Sequence, residues 1–341
     1  MNRQKIFTRM YVFSCDLFLL PFIIFHIIVL FQSQGRHSSF SMKELGEGMQ
    51  YKMANDPFFN FYRNSFRKDP LFRKDQEDDD TFADIYAHKI LTDALEAGRD
   101  VDLAYETAVC MIIWMEVAHL LYTAVQQCGA SDRPTDLAGV AIDDALAYYV
   151  GVSQTKGSTD GYLLYSLAQK SASIFGTVDE LSGEAIANKD MMKYFKEAKR
   201  NAGLCDGGPE QAKVLRSVVG SMISTMNIPL VQSFVHQLQV GLETDKGSFH
   251  AILYGLSVLP QVATCQPTEY EYLTNEITAN GLDVANLDSL TISFRKTYEC
   301  FGIVCRDVHG INYQDCDLPL QHSFAGFTPK YESIRSVSHF Y

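Results

Sequence analysis

The chain has little positive charge for its length. Its 341 residues include 29 Lys and Arg against 41 Asp and Glu, which gives a formal net charge of −12 at pH 7 when histidines are counted as neutral. Nucleic-acid binding depends on clustered Lys and Arg that neutralise phosphates, so this balance argues against a nucleic-acid partner. An acidic surface is instead suited to attracting cations or to keeping a protein soluble.

Motifs that mark catalytic sites are also missing. The sequence contains no Gly-x-Ser-x-Gly elbow, no His-Glu-x-x-His zinc motif, no Gly-x-x-x-x-Gly-Lys phosphate loop and no Cys-x-x-Cys pair. The Gly-rich segment 157–161 has no following Lys and no preceding strand, so we interpret it as a turn. These absences predict that the protein is not an enzyme.

Alternation of period two, the mark of half-buried strands, is scarce, whereas apolar residues recur at helical spacing from residue 82 onward. Gly, Pro and Asp turns separate the periodic segments. Helices are predicted at 83–97, 101–128, 138–150, 161–175, 180–201, 209–226, 229–242, 247–264, 268–279 and 287–301. The fold class predicted is therefore all-α.

The N-terminal segment has the pattern of entry into the secretory pathway. Three basic residues within the first nine precede a nearly continuous apolar run at 11–31. The run is long enough to span a bilayer, so residues 1–35 form either a cleaved signal peptide or a retained signal anchor. No second apolar span is expected, which would limit membrane contact to this segment if it stays uncleaved. The destination is then extracellular, periplasmic or the cell surface.

Composition divides the remainder into a stem with an acidic linker at 36–80, two helical halves at 81–205 and 206–318, and a tail at 319–341. A weak internal similarity supports two halves, because one long helix carries Trp114 and His119 and a later one carries Pro229 and His236. Unrelated helices with similar apolar patterns would give the same likeness.

The cysteine count supports an oxidising compartment. Outside the leader there are seven cysteines, an odd number, so at least one is a free thiol or pairs with another chain. The spacing of Cys300 and Cys305 permits a local disulfide, with Cys265 and Cys316 as other candidate partners. Cys110 lies in an apolar helical segment and is predicted to be a buried thiol.

Oxygen donors are concentrated in one short part of the chain. Asp144 and Tyr148 fall one turn apart on a predicted helix, and the bend that follows offers Asp160, Tyr162 and Tyr165 on the next helix. Carboxylate and phenolate oxygens are hard ligands that suit a hard cation such as ferric iron. The alternative is structural, since Tyr at helical spacing is usually a core aromatic and acidic residues often favour a helix N-terminus.

A second candidate group lies on the long helix at 101–128. Glu116 and His119 stand at i and i+3, the spacing by which helical bundles present a carboxylate and an imidazole to one metal. A di-iron centre would need this motif twice, and one clear copy exists. A buried Glu–His pair or a surface contact is the alternative. His236 and His250 lie in apolar helical contexts, where a hydrogen-bonded core histidine is the default.

Several blocks, taken in order, resemble the algal iron-assimilating proteins, which include the low-iron-inducible periplasmic proteins of green algae and the phytotransferrins of diatoms. The resemblance covers residues 80 to 312. The blocks that carry it are 143–151 (DDALAYYVG), 161–168 (GYLLYSLA), 175–176 (FG), 228–232 (IPLVQ), 258–260 (VLP) with Cys265, and 298–310 (YECFGIVCRDVHG).

The resemblance implies a secreted or cell-surface helical protein that binds ferric iron, with carbonate as a synergistic anion, and delivers it to membrane uptake machinery. It also implies a basic residue near His119 and near His236, where this chain has histidines that are mostly uncharged at neutral pH. The predicted donors are Asp143, Asp144, Tyr148, Tyr149, Glu116 and His119. The alternative function is a surface adhesion or scaffold protein that keeps the same helical fold without metal.

Overall fold

The structure is a computed structural model that describes residues 101–130, 136–152, 154–206, 208–240, 245–278 and 287–308, together with Leu45, Gly46, Gly48 and Tyr62. The predicted leader, acidic linker, helix at 83–97 and C-terminal tail lie outside the described residues. Every named element within them is a helix, and the β-type pairing there is one isolated bridge between Val178 and Ala185. The all-α prediction is confirmed.

Nine α-helices follow one another in the described chain. They are α1 (Val101–Thr107), α2 (Trp114–Cys128), α3 (Asp136–Val150), α4 (Leu164–Phe175), α5 (Ile186–Ala202), α6 (Pro209–Val240), α7 (Asp245–Cys265), α8 (Pro267–Thr278) and α9 (Leu287–Lys296). Two short 3₁₀ helices, Tyr298–Phe301 and Cys305–Val308, close the described part. Gly176 ends α4 in the left-handed conformation with φ 68°, which a residue with a side chain rarely adopts.

The 32-residue helix α6 lies at the centre of the packing. It packs most extensively against α5 and α7, and it also contacts α2 and α4. Leu230 and Phe234 on α6 have no exposed surface, and the Phe234 ring meets that of Phe294 edge to face at 4.6 Å. Burying a side chain of this size stabilises a fold by about 1.5–3 kcal/mol, so α6 is the main source of core contacts for its neighbours.

Helix α6 is continuous through Pro229, so the break predicted between 226 and 229 is wrong. A proline within a helix removes one backbone hydrogen bond and costs about 3 kcal/mol. Pro229 is buried, its carbonyl accepts a hydrogen bond from Ser171 at 3.4 Å, and apolar side chains on both sides of it belong to the core. Tertiary packing of the whole helix outweighs this local cost.

Between α1 and α2 the backbone forms a six-residue π-helix, Ala108–Ile113. Helix α1, the π-helix and α2 are contiguous and form one long helix, so the helix predicted at 101–128 is present with a wider turn near its start. All six π-helical residues are buried. A π turn in a helix usually marks a place where side chains are re-aimed at a functional site.

Two helices, Ala104–Cys128 and Pro209–Val240, are long and apolar enough to cross a membrane by length and composition. The expectation of no further apolar span is therefore wrong on those criteria. In their most apolar stretches 78% and 61% of the residues are buried inside the protein. Core helices of this kind pass the same test, because they too must be hydrophobic on most sides.

Two disulfides join distant parts of the chain, Cys128 to Cys205 and Cys265 to Cys300. The prediction of a local Cys300–Cys305 disulfide is therefore wrong, although Cys265 was among the predicted candidate partners. Cys305 is itself disulfide-bonded, and Cys110 is a free buried cysteine as predicted. Structural disulfides are typical of oxidising compartments, which is compatible with the secretory pathway.

Each of these two disulfides stays within one of the predicted helical halves. One hydrophobic cluster nevertheless includes residues of both halves, for example Leu121 and Leu230. The domain boundaries therefore stay a prediction.

Candidate functional site

The predicted donors on α3 face different surroundings. Asp143 and Asp144 are exposed, and Asp143 forms an ion pair with Lys199 of α5. Tyr149 is 1% exposed and its hydroxyl donates a 2.8 Å hydrogen bond to Oδ1 of Asn188. Burial raises the pKa of Tyr149 far above its ordinary value, with the nearby Tyr165 and Glu184 adding to the effect. Asp143 is thus paired at the surface, whereas Tyr149 is a satisfied core residue.

The other predicted donors are also spread out. Tyr148 is half-buried one turn after Asp144, and neither makes a hydrogen bond or ion pair with another described residue. On α2, Glu116 is buried with 7% exposure and His119 is half-buried. Among the residues that the structure describes, no three His, Cys, Asp or Glu side chains are grouped so as to hold a metal ion.

The bend after α3 brings only one of its predicted donors into a buried contact. Asp160 is exposed, and Tyr162 is 72% exposed with its ring edge to face against Tyr105. The Tyr165 hydroxyl instead donates a 2.7 Å hydrogen bond to Oε1 of Glu184 and accepts one from the Gly157 amide at 3.1 Å. Burial and the Glu184 carboxylate raise the pKa of Tyr165 to about 12, although the Gly157 amide opposes the change.

A group of donors that sequence reasoning missed lies where α1 meets α7. Nδ1 of His250 is 2.7 Å from Oε2 of Glu106, and Tyr254 lies close enough to Glu106 for this carboxylate to raise the pKa of the phenol. His250 and Tyr254 are one turn apart on α7, so both side chains project from one helix face. We call Glu106, His250 and Tyr254 the Glu–His–Tyr cluster.

The Glu–His–Tyr cluster is mostly enclosed. The side chains of Glu106 and His250 are 24% and 14% exposed, and Tyr254 is 2% exposed. Tyr254 also hydrogen-bonds Ser233 of α6. Burial raises the pKa of Tyr254 well above its usual value, and the Glu106 charge adds to that rise, so the phenol keeps its proton at neutral pH.

Cys110 of the π-helix borders the cluster. It is 1% exposed and lies close to Ser257, whose backbone carbonyl accepts a 2.8 Å bond from the Tyr62 hydroxyl. Burial, followed by the charge of Glu106, raises the pKa of the Cys110 thiol. A buried thiol whose pKa is raised is a poor nucleophile, so the neighbourhood of Cys110 and His250 does not favour cysteine catalysis.

Only part of the cluster had a signal in the sequence. His250 and Tyr254 have i, i+4 spacing, but their carboxylate partner Glu106 is 144 residues away from His250. The default expectation for His250, a hydrogen-bonded core histidine, is confirmed by the bond to Glu106.

Comparison with known proteins found no family model, no curated protein and no solved structure that matches this chain. The resemblance to algal iron-assimilating proteins therefore stays a prediction, and the functional argument depends on the chemistry of the site.

Proposed function

We propose that the protein is a ferric-iron-binding protein of the secretory pathway or cell surface, and that the Glu–His–Tyr cluster holds the ion. The observation that carries the proposal is the 2.7 Å contact between His250 Nδ1 and Oε2 of Glu106, with Tyr254 close to the same carboxylate. A carboxylate, an imidazole and a phenolate are all good iron ligands, and here they come from only two helices.

The spacing of the donors suits a metal ion. Neighbouring ligands at 2.0–2.2 Å from one metal are roughly 3 Å apart, close to the 2.7 Å between Glu106 and His250. In the iron-free protein protons lie between these groups. A ferric ion would replace those protons, with the imidazole then carrying its own proton on the other nitrogen.

Charge balance supports an accompanying anion. The Glu106 carboxylate and a deprotonated Tyr254 supply two negative charges against the three positive charges of the ferric ion. A residual positive charge in an enclosed site is costly unless it is paired. A carbonate that joins the ion would offset that charge and occupy positions that three protein donors leave open. Membrane uptake machinery would then receive the iron.

The test is a titration of the full-length protein with ferric nitrilotriacetate, with and without bicarbonate. Coordination by a phenolate gives a visible absorption band, which we expect for the wild type and expect to be strengthened by bicarbonate. Tyr254→Phe should lose the band while its circular dichroism stays helical. Tyr148→Phe is the matched control and should keep it.

The two Tyr→Phe variants distinguish the two possible iron sites. If Tyr148→Phe loses the band and Tyr254→Phe keeps it, the ion is bound at α3 and the cluster is structural. No band in the wild type would reject ferric binding altogether.

The absence of an absorption band in the wild type would favour a helical scaffold or adhesion protein without metal. This second candidate is supported by the lack, among the described residues, of any metal-binding group of three His, Cys, Asp or Glu. It is also supported by the cluster itself, in which Glu106 and His250 already satisfy one another by a hydrogen bond.

A further inference from the structure

A cleft of about 830 Å³ opens beside α5, and its opposite side is formed by the segment from the end of α3 to the start of α4. Five basic and two acidic side chains line it, an excess of positive charge in a chain whose net charge is −12. The basic residues are Lys156, Lys189, Lys193, Lys196 and Arg200, and the acidic residues are Glu184 and Glu197.

Four of the basic residues form a stripe along α5. Lys189, Lys193, Lys196 and Arg200 are separated by four, three and four residues, which places them on one helix face. At 1.5 Å per residue the stripe is roughly 16 Å long. Lys199 lies on the same helix but outside the cleft, where it pairs with Asp143.

Among the described residues, three of these five basic side chains have no ion-pair partner. Lys189 pairs with Asp179 at 2.7 Å and Lys156 pairs with Glu184 at 3.3 Å. Lys193, Lys196 and Arg200 form no ion pair within the described part of the chain. Like charges three or four residues apart repel one another on a helix, so bound negative charge in the cleft would be stabilising.

The buried acidic residue of the cleft is paired. Glu184 accepts a 2.7 Å hydrogen bond from the Tyr165 hydroxyl and forms a 3.3 Å ion pair with Lys156, which offsets its charge. Val150 and Met192 add apolar surface to the lining. A cleft of this volume, with a few polar groups beside apolar surface, is typical of a small-molecule site.

We infer that this cleft binds a small polyanion that carries two or more carboxylate or phosphate groups. Lys193, Lys196 and Arg200 offer separate contacts along α5, so a ligand with several charged groups can reach more than one of them, whereas a single oxyanion cannot. The site shares no residue with the Glu–His–Tyr cluster, so it does not depend on iron binding.

Isothermal titration calorimetry of the full-length protein in metal-free buffer tests the inference. The probes are tripolyphosphate and citrate, with orthophosphate and acetate as their single-group counterparts. We expect at least one polyanion to bind tenfold or more tightly than its counterpart, and the tighter of the two identifies the charged group that the cleft prefers. Equal weak binding of all four probes would overturn the inference.

A pair of double variants tests the location. Lys193→Ala with Lys196→Ala should weaken binding of the tighter polyanion at least tenfold. The control is Lys213→Ala with Arg216→Ala on α6, an exposed pair at the same i, i+3 spacing and with no ion pair to another described residue. The control should change the affinity less than twofold.

An equal loss in both double variants would show that binding depends only on overall charge, and it would reject the cleft as the site. Tyr254→Phe should leave polyanion binding unchanged. Failure of the ferric proposal and failure of this one are therefore distinguishable.

Discussion

The hydroxyl of Tyr149 on α3 donates a 2.8 Å hydrogen bond to Oδ1 of Asn188 on α5, and Nδ2 of Asn188 donates in turn to the carbonyl of Tyr165 at 2.9 Å. Tyr149 and Asn188 are almost fully buried. One amide therefore links α3, α4 and α5, and the hydroxyl of Tyr149, which the sequence predicted as a metal donor, is engaged in this link.

Replacing Tyr149 by Phe should destabilise the fold without altering iron binding. The change removes one buried hydrogen bond and leaves the Asn188 carbonyl without this donor, which costs about 1–2 kcal/mol. Urea unfolding followed by circular dichroism measures the loss. Tyr148→Phe is the control, because the half-buried Tyr148 makes no hydrogen bond to a described residue and should shift stability by less than about 0.5 kcal/mol. Equal effects of the two changes would contradict this role.

Glu106→Gln should weaken ferric binding at least tenfold while the protein remains folded. The substitution keeps the shape of the side chain but removes the negative charge and one carboxylate oxygen from the group that lies beside His250 and Tyr254. Competition against citrate, monitored by the absorption band, gives the affinity. Glu116→Gln is the matched control, since Glu116 is another buried carboxylate of the same long helical rod, and it was the one predicted from the sequence. A larger loss for Glu116→Gln would place the ion at α2.

Ferric affinity should fall as the pH is lowered. The raised pKa of Tyr254 means that the iron-free protein holds this proton throughout the neutral range, so binding must release it. One released proton lowers the binding constant about tenfold for each unit of pH decrease. The absorption band, recorded between pH 8 and pH 5 at fixed total iron, measures the slope. An affinity independent of pH would show that no phenol binds the ion.

Removal of the Cys128–Cys205 disulfide should cost more stability than any single core substitution proposed above. The bond closes a loop of 77 residues, for which chain entropy gives about 4.5 kcal/mol, compared with about 4 kcal/mol for the 35-residue separation of Cys265 and Cys300. Thermal unfolding of the two double Cys→Ser variants compares them. Neither change should abolish the iron band, because neither disulfide includes a residue of the Glu–His–Tyr cluster. If the Cys128–Cys205 variant unfolds like the wild type, the loop-entropy argument fails for this chain.

The helices were predictable because their signals are local. The Gly-containing turns that separate α3, α4 and α5 are visible in the sequence, and the observed bounds differ from the predicted ones by a few residues at most ends. The continuity of α6 through Pro229 was not predictable, because it depends on neighbours that fold against both halves of the helix. The same limit explains the wrong local disulfide, since Cys265 reaches Cys300 only when α7 and the 3₁₀ helix at Tyr298–Phe301 pack together.

The candidate site was harder to predict than the fold. Adjacent residues on a helix point about 100° apart, so Tyr149 packs inward with Ile142 and Ala145 while Asp144 faces solvent. A block of consecutive donors therefore cannot all serve one ion. The Glu–His–Tyr cluster needs Glu106 from α1 to meet two residues of α7, and a contact over 144 positions leaves no local pattern.

The wide turn at Ala108–Ile113 sets the rotational phase between the two ends of one rod. Upstream of it stands Glu106, and downstream stands Trp114, which is almost wholly buried. If the same six residues wound as an ordinary α-helix, Glu106 would swing about the axis by roughly a quarter of a turn, out of reach of His250 and Tyr254. The wide turn thus accommodates one extra residue and keeps the carboxylate on the side of its partners.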